Sequence, residues 1–148
     1  HQILFCGYDK RGVFQLYAEK RSSGGIRIQM KDSLNRVLGM HVKVIIDRPL
    51  GSYHPEHKDL YYPINYGYIE GILAADQEEQ DVYFMGIHEP VECAEGVIIA
   101  VIHRKNDVED KWVAAPENMK FSIDEIEKAV HFQEQYFDHE ILMQDTHE

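Results

Sequence analysis

The sequence predicts a mainly β domain carrying one C-terminal helix, arranged as a small barrel that the helix flanks, closing or plugging it. Three observations predict this. Short apolar or alternating runs recur between turn signals from Val42 to Ala115. From Ser122 the apolar residues change to helical spacing. The length of 148 residues, 44% hydrophobic and 28% charged, suits one compact domain and is short for two.

Taken in chain order, residues 1–29 differ in character from the rest. Residues 3–8 and 13–18 read as two short strands around Asp9-Lys10-Arg11-Gly12, and Lys20-Arg21-Ser22-Ser23-Gly24-Gly25 reads as a linker. Met30 then opens a plausible natural start. The expectation is an N-terminal extension over 1–29, as upstream sequence, a tag remnant or a hairpin, followed by the main domain over 30–148. Within that domain, residues 42–47 alternate and are β-branched, as a strand requires. Pro49, Gly51 and Pro55 punctuate a loop, after which residues 62–69 are extended. Residues 81–87 form a third run, and the apolar stretch 97–102 has the length of a buried strand. Residues 111–115 make another before Pro116. Ser122 and Glu125 form a capping box that starts a helix at Ile123. Ile126, Val130, Phe137 and Ile141 fall at helical spacing and are expected to be its buried stripe.

Charge and composition narrow the function. The formal net charge of −11 argues against a nucleic-acid surface, which needs clustered Lys and Arg. A phosphorylated small molecule stays open, because a bound cation can supply positive charge locally. No apolar run approaches membrane-spanning length, so no membrane partner is expected. Two cysteines, Cys6 and Cys93, are too few for a disulfide framework, and a reducing cytoplasmic setting is the expectation.

The chemistry concentrates between Tyr61 and Val82, where an aromatic, glycine-containing strand runs into Asp76, Glu78, Glu79 and Asp81. Carboxylates crowded this closely raise one another's pKa unless a positive charge lies between them. A hard divalent cation such as Mg²⁺, which prefers oxygen ligands, is the simplest relief. His54 and His57 are spaced His-x-x-His, but without a Cys pair or second His cluster they read as surface histidines rather than zinc ligands.

The segment Tyr62-Pro63-Ile64-Asn65-Tyr66-Gly67, with Asp76-x-x-x-x-Asp81 after it, resembles the signature of the soluble family I inorganic pyrophosphatases. Asn106-Asp107-Val108-Glu109-Asp110-Lys111 is similar to their second acidic loop, and His131-Phe132-Gln133-Glu134-Gln135-Tyr136 to the segment ending in their substrate-binding Tyr. The resemblance implies a five-stranded OB-like barrel with flanking helix, and Mg²⁺-dependent hydrolysis of pyrophosphate to two phosphates. It implies that Asp76, Asp81 and Asp110 hold the tightest metal and that Asp107, with Asp110, holds one recruited with substrate. It places Glu78 as the catalytic base, counts Asp76 as catalytic as well as a metal ligand, and sets Tyr62, Tyr66, Lys111 and Tyr136 against phosphate oxygens. Family members commonly form homo-oligomers, which becomes the expectation for assembly.

This sequence departs from that pattern in three places. Gln77, Glu78 and Glu79 stand where the family has Gly, Asp and Pro. The hairpin that carries the family's phosphate-binding Lys and Arg is largely deleted between Asp47 and Tyr62, leaving Arg48, His54, His57 and Lys58 as candidate substitutes. Phe137 follows the C-terminal Tyr where many members have Lys. Two rival readings follow from the lost basic residues: hydrolysis of a different phosphoanhydride, or a non-catalytic domain that binds metal or phosphate.

Overall fold

A computed structural model describes residues 34–105 and 109–143. The proposed N-terminal extension lies outside the described residues. A helical turn at 34–37 leads into β1 (His41–Arg48), β2 (Asn65–Leu73), β3 (Glu79–Phe84), β4 (Cys93–Arg104) and β5 (Lys111–Ala115). Helix α1 (Ile123–Glu134) and a last strand, β6 (His139–Leu142), follow.

The strands run β1-β2-β3-β5-β4, and a β1–β4 pairing closes them into a five-stranded barrel. All pairings are antiparallel except β3 with β5, which is parallel. Period-2 alternation sorts the side chains into two apolar clusters. One gathers Val44, Ile46, Ile69, Val82, Phe84, Ile98, Trp112 and Ala114 from all five barrel strands, and so fills the interior. The other takes the opposite faces, through Tyr66, Tyr83, Ile102 and Val113, and is covered by Ile126 and Val130 of α1. The helix therefore lies along the wall and does not plug the barrel.

Two local features serve the site. Gly67 faces Ile46 across β1–β2, and a Cβ there would meet the Ile45 carbonyl oxygen at 1.8 Å. Only glycine permits that approach, which is why the Tyr-Gly pair of the motif lies in the wall. A bulge in β1 between Ile46 and Arg48 breaks the alternation. Asp47 and Arg48, adjacent in sequence, consequently both face one pocket.

The expected helical stripe stops short. α1 is capped as predicted, with Ser122 Oγ accepting from Glu125 N and Glu125 returning to Ser122 N, but it ends at a Gln135 cap. Ile141 lies in β6 instead. β4 is twelve residues long, and β1 pairs only its first part. The remaining edge, Val101 to Arg104, is taken by β6. An open strand edge competed with helix periodicity and won.

Candidate active site

The Tyr-Pro-x-Asn-Tyr-Gly stretch separates into distinct physical jobs. Asn65 is fully buried and its amide joins two loops to β2: its Oδ1 accepts from Leu50 N at 2.9 Å, and its Nδ2 donates to the Glu89 carbonyl at 3.0 Å. Tyr62 is also fully buried, with its hydroxyl accepting from Arg48 Nη1 at 3.0 Å and donating to Gln133 Oε1 at 3.2 Å. It stands behind Arg48. Tyr66 donates its hydroxyl to Asp81 Oδ2 at 2.9 Å. Burial, then the Asp81 charge, push the Tyr66 phenol well above its ordinary pKa, so it stays a donor.

Asp81 is the meeting point. The parallel register sets Val82 opposite Trp112, which brings their neighbours Asp81 and Lys111 side by side. Lys111, only 5% exposed, donates from Nζ to Asp81 Oδ2 at 2.6 Å and to Glu109 Oε2 at 2.7 Å. A buried ammonium is stable only when paired in this way.

Asp76 is shaped by its turn. Its Oδ1 accepts the Glu78 N–H at 3.0 Å, and Gln77 N donates to the Ala74 carbonyl. Gln77 takes a φ of +73°, a left-handed conformation that favours glycine. The Glu78 N–H is the main force holding the Asp76 carboxyl below its ordinary range, with a hydrogen bond to Glu109 and the Lys111 charge adding to it against partial burial. Glu109 moves the other way. Burial raises it most, Lys111 opposes, and the hydrogen bond to Asp76 raises it further. The contact between Asp76 and Glu109 thus shifts the two carboxyls in opposite directions, Asp76 down and Glu109 up. Glu78 itself is exposed on the turn.

Asp110 faces elsewhere, with its Oδ1 2.9 Å from His103 Nδ1. Glu109 was passed over in the sequence reading, although a signal for it existed. In an extended lead-in to β5, residues 109 and 111 share a side and 110 takes the other. Asp107 lies outside the described residues.

A cavity of about 620 Å³ opens beside Asp81 and Lys111. Tyr66, Asp81, Lys111 and Tyr136 of the expected site line it; Tyr62, Asp76, Glu78 and Asp110 do not. Arg48, Arg104, Gln133, Phe137, His54 and His57 also line it, so the deleted hairpin leaves three cations on the wall: Arg48, Arg104 and Lys111. Tyr136 stands at the mouth, 71% exposed. Asp47, also at the wall, is pushed up by burial against the pull of Arg48. Among the described residues, no three His, Cys, Asp or Glu side chains converge in a way that would hold a metal alone.

No family model matches this sequence, and no curated protein matches it. Solved structures do. An inorganic pyrophosphatase from Ehrlichia chaffeensis matches with a TM-score of 0.55 at 21% identity, covering 73% of this chain and 87% of that one. One from Neisseria gonorrhoeae matches with a TM-score of 0.53 at 22% identity, over 66% of this chain and 74% of that one. One from Coxiella burnetii matches at 0.50 and 19% identity, over 72% and 86%. The chain has the fold of the family I inorganic pyrophosphatases, with the five-stranded barrel that the motif implied. No helix among the described residues is long and apolar enough to cross a membrane.

Proposed function

We propose that this chain is a Mg²⁺-dependent inorganic pyrophosphatase acting in the cytoplasm. The observation that carries the reading is the junction at Asp81, where Tyr66 and Lys111 meet beside a cavity also lined by Arg48 and Arg104. The chemistry of the donor set supports a metal next to it. Asp76 and Glu109 lie in contact, and Asp81 lies across Lys111 from Glu109, so three carboxylates border one ammonium. Mg²⁺ commonly binds through one or two carboxylates, completing its shell with water and substrate phosphate, so no closed protein cage is required. Asp76, Asp81 and Glu109 are the proposed holders, with Asp110 braced by His103 and Asp107 on the adjoining loop as further carboxylates. Bound there, Mg²⁺ would neutralise phosphoryl charge and acidify the attacking water.

The chain's own groups do the rest. Glu78, exposed on the turn beside Asp76 and outside the cavity lining, is the proposed acceptor of the water's proton; Lys111 and Arg48 hold phosphoryl oxygens, and Tyr136 stands at the mouth. Tyr62 acts through Arg48 and Tyr66 through Asp81. The P–O–P bridge breaks as the water oxygen joins one phosphorus, and the products are two phosphates. Most of the rate gain is positioning and fixed charge.

One observation favours a second reading. A cavity of about 620 Å³ is of the size that holds drug-sized ligands, and pyrophosphate is smaller than these. A phosphoanhydride bearing an organic group would use the His54, His57 and Leu60 side.

The test is phosphate release from pyrophosphate with and without Mg²⁺. Expected is metal-dependent release that falls at least about a hundredfold in Asp81→Ala, the scale for losing a charge-positioning group. Turnover of a nucleotide but not pyrophosphate would select the second reading. Binding without turnover of either would leave a non-catalytic domain.

A further inference from the structure

The loop between β1 and β2 lines one side of the cavity and brings no lysine or arginine there. From this loop the lining takes His54, His57, Asp59 and Leu60, while Lys58 does not line it. Backbone pairing shapes the loop before any ligand arrives. Tyr53 and Tyr61 bridge it, with Gly51 N donating to the Tyr62 carbonyl at 2.8 Å and Tyr62 N to the Ser52 carbonyl at 2.9 Å. Nearer the tip, His54 N donates to the Leu60 carbonyl at 3.0 Å and Leu60 N to the His57 carbonyl at 2.8 Å. Leu50 N, bonded to Asn65 Oδ1 at 2.9 Å, ties the start of the loop to β2. The four lining side chains are thus carried on a preformed frame.

The chemistry of these side chains differs from that of the Asp81–Lys111 end. His54 Nδ1 accepts from Glu56 N at 2.9 Å and from His57 N at 3.2 Å, which puts the ring proton on Nε2. Burial, then the Arg48 charge and His57, lower the His54 pKa, so the ring is neutral at pH 7. The His57 ring lies beside it, with centroids 4.7 Å apart and planes tilted by 46°. Among the described residues, His54 Nε2, the His57 ring nitrogens and the Asp59 carboxylate have no hydrogen-bond partner. Leu60 packs on the apolar cluster behind the wall. This side therefore offers imidazole surface, free ring donors, an aliphatic patch and a carboxylate that can only accept. Asp59 would repel a phosphoryl group placed there. A flat, uncharged group that carries hydroxyls fits instead.

We infer that the cavity takes a nucleoside 5′-diphosphate, with its phosphates at Lys111 and Arg48, its base against His54 and His57, and a ribose hydroxyl on Asp59. The inference rests on the diphosphate reading of the Asp81–Lys111 end, and it names the organic group that the second reading leaves open. Space supports it, since about 620 Å³ holds a ligand of this size while pyrophosphate leaves the loop side unfilled. Charge supports it as well. A diphosphate monoester carries less negative charge than pyrophosphate, which suits a lining where Asp47, Asp59 and Asp81 accompany Arg48 and Lys111.

Three non-hydrolysable probes share one head group: methylenediphosphonate, its adenosine 5′-monoester and its butyl monoester. The two esters carry the same charge and differ only in the organic group. Each is titrated calorimetrically into the wild type with Mg²⁺ present. The adenosine ester is expected to bind at least about tenfold more tightly than the butyl ester, the scale of one base stacked on aromatic side chains. His57→Ala, at an exposed loop position, should remove most of that advantage and leave methylenediphosphonate affinity within about twofold. Asp59→Ala should act with opposite signs. It weakens the adenosine ester about fivefold, a lost hydrogen bond to a charged group less the repulsion relieved, and tightens methylenediphosphonate. Equal affinity for the two esters, an adenosine preference that survives His57→Ala, or an Asp59→Ala effect of one sign on both probes would overturn the nucleotide subsite while the diphosphate site stands. A wild type that binds none of the three would bring down the diphosphate reading and the subsite with it.

Discussion

Gln77 is the residue at which this chain departs from its resembling family with the clearest physical consequence. Its φ of +73° places a side chain in backbone space that costs an L-residue about 1–2 kcal/mol. The turn is kept because the Ala74 and Glu78 backbones pair across it and Asp76 caps the Glu78 N–H. Gln77→Gly should therefore stabilise the protein by about 0.5–1 kcal/mol, the strain relieved less the entropy that glycine loses on folding. Urea denaturation checks this through a higher midpoint at unchanged slope. A lower midpoint would show that the Gln77 side chain contributes more than its backbone costs. The same scale shows how legible the site is. Asp81, Tyr66 and Lys111 could be picked from the sequence because motif and charge coincide. Glu109 could have been separated from Asp110 by the period-2 rule, which puts residue 109 on the side of Lys111 in an extended lead-in to β5. Tyr62 was read as a substrate contact because a tyrosine in a motif gives no sign that its hydroxyl is already taken by Arg48 and Gln133.

Elements meet where α1 hands over to β6, and a histidine ties the junction. His139 Nε2 lies 3.0 Å from Glu127 Oε1 of the helix, and its Nδ1 lies 2.9 Å from the Phe137 carbonyl. Burial works against the charged ring, but the Phe137 carbonyl and Glu127 outweigh it, and the pKa rises above the ordinary 6.5. A pKa raised by folding means stability fully present below the unfolded value and lost as pH climbs through the folded one. His139→Asn is expected to lower Tm by about 2–4 °C at pH 6, the scale of one partly exposed ion pair, and by clearly less at pH 9. His131, 3.8 Å from the same Glu127, stays in place and so largely cancels in the comparison. An equal loss at both pH values would reduce the contact to packing. This junction is also where the sequence misled. A capping box is a local signal, and it located the start of α1 at Ile123. The end of the helix depended on an unpaired stretch of β4, a distant partner that helical spacing at Phe137 and Ile141 could not reveal. The barrel strands were legible for the opposite reason, since alternation between an interior and a helix-covered face is written residue by residue.

At the scale of the whole molecule, charge and site pull in opposite directions. The chain carries a formal charge of −11, while the cavity lining sets Arg48, Arg104 and Lys111 beside Asp47, Asp59 and Asp81. A diphosphate approaching from solution meets the negative total first, and meets the three cations only within the pocket. Salt weakens the two fields unequally. The screening length shrinks from about 30 Å at 10 mM to about 8 Å at 150 mM, which removes long-range repulsion but leaves contacts inside a partly enclosed pocket much less affected. If the chain turns over pyrophosphate, kcat/KM should therefore rise by about two- to threefold between those two salt concentrations at constant free Mg²⁺, opposite to the fall seen when a positive field steers an anion. The rise should come from substrate association, leaving kcat nearly constant. A steady fall in kcat/KM with salt would mean that the three cations project their field past the acidic surface and govern capture from a distance. A rise confined to kcat would place the effect in the chemistry or in product release.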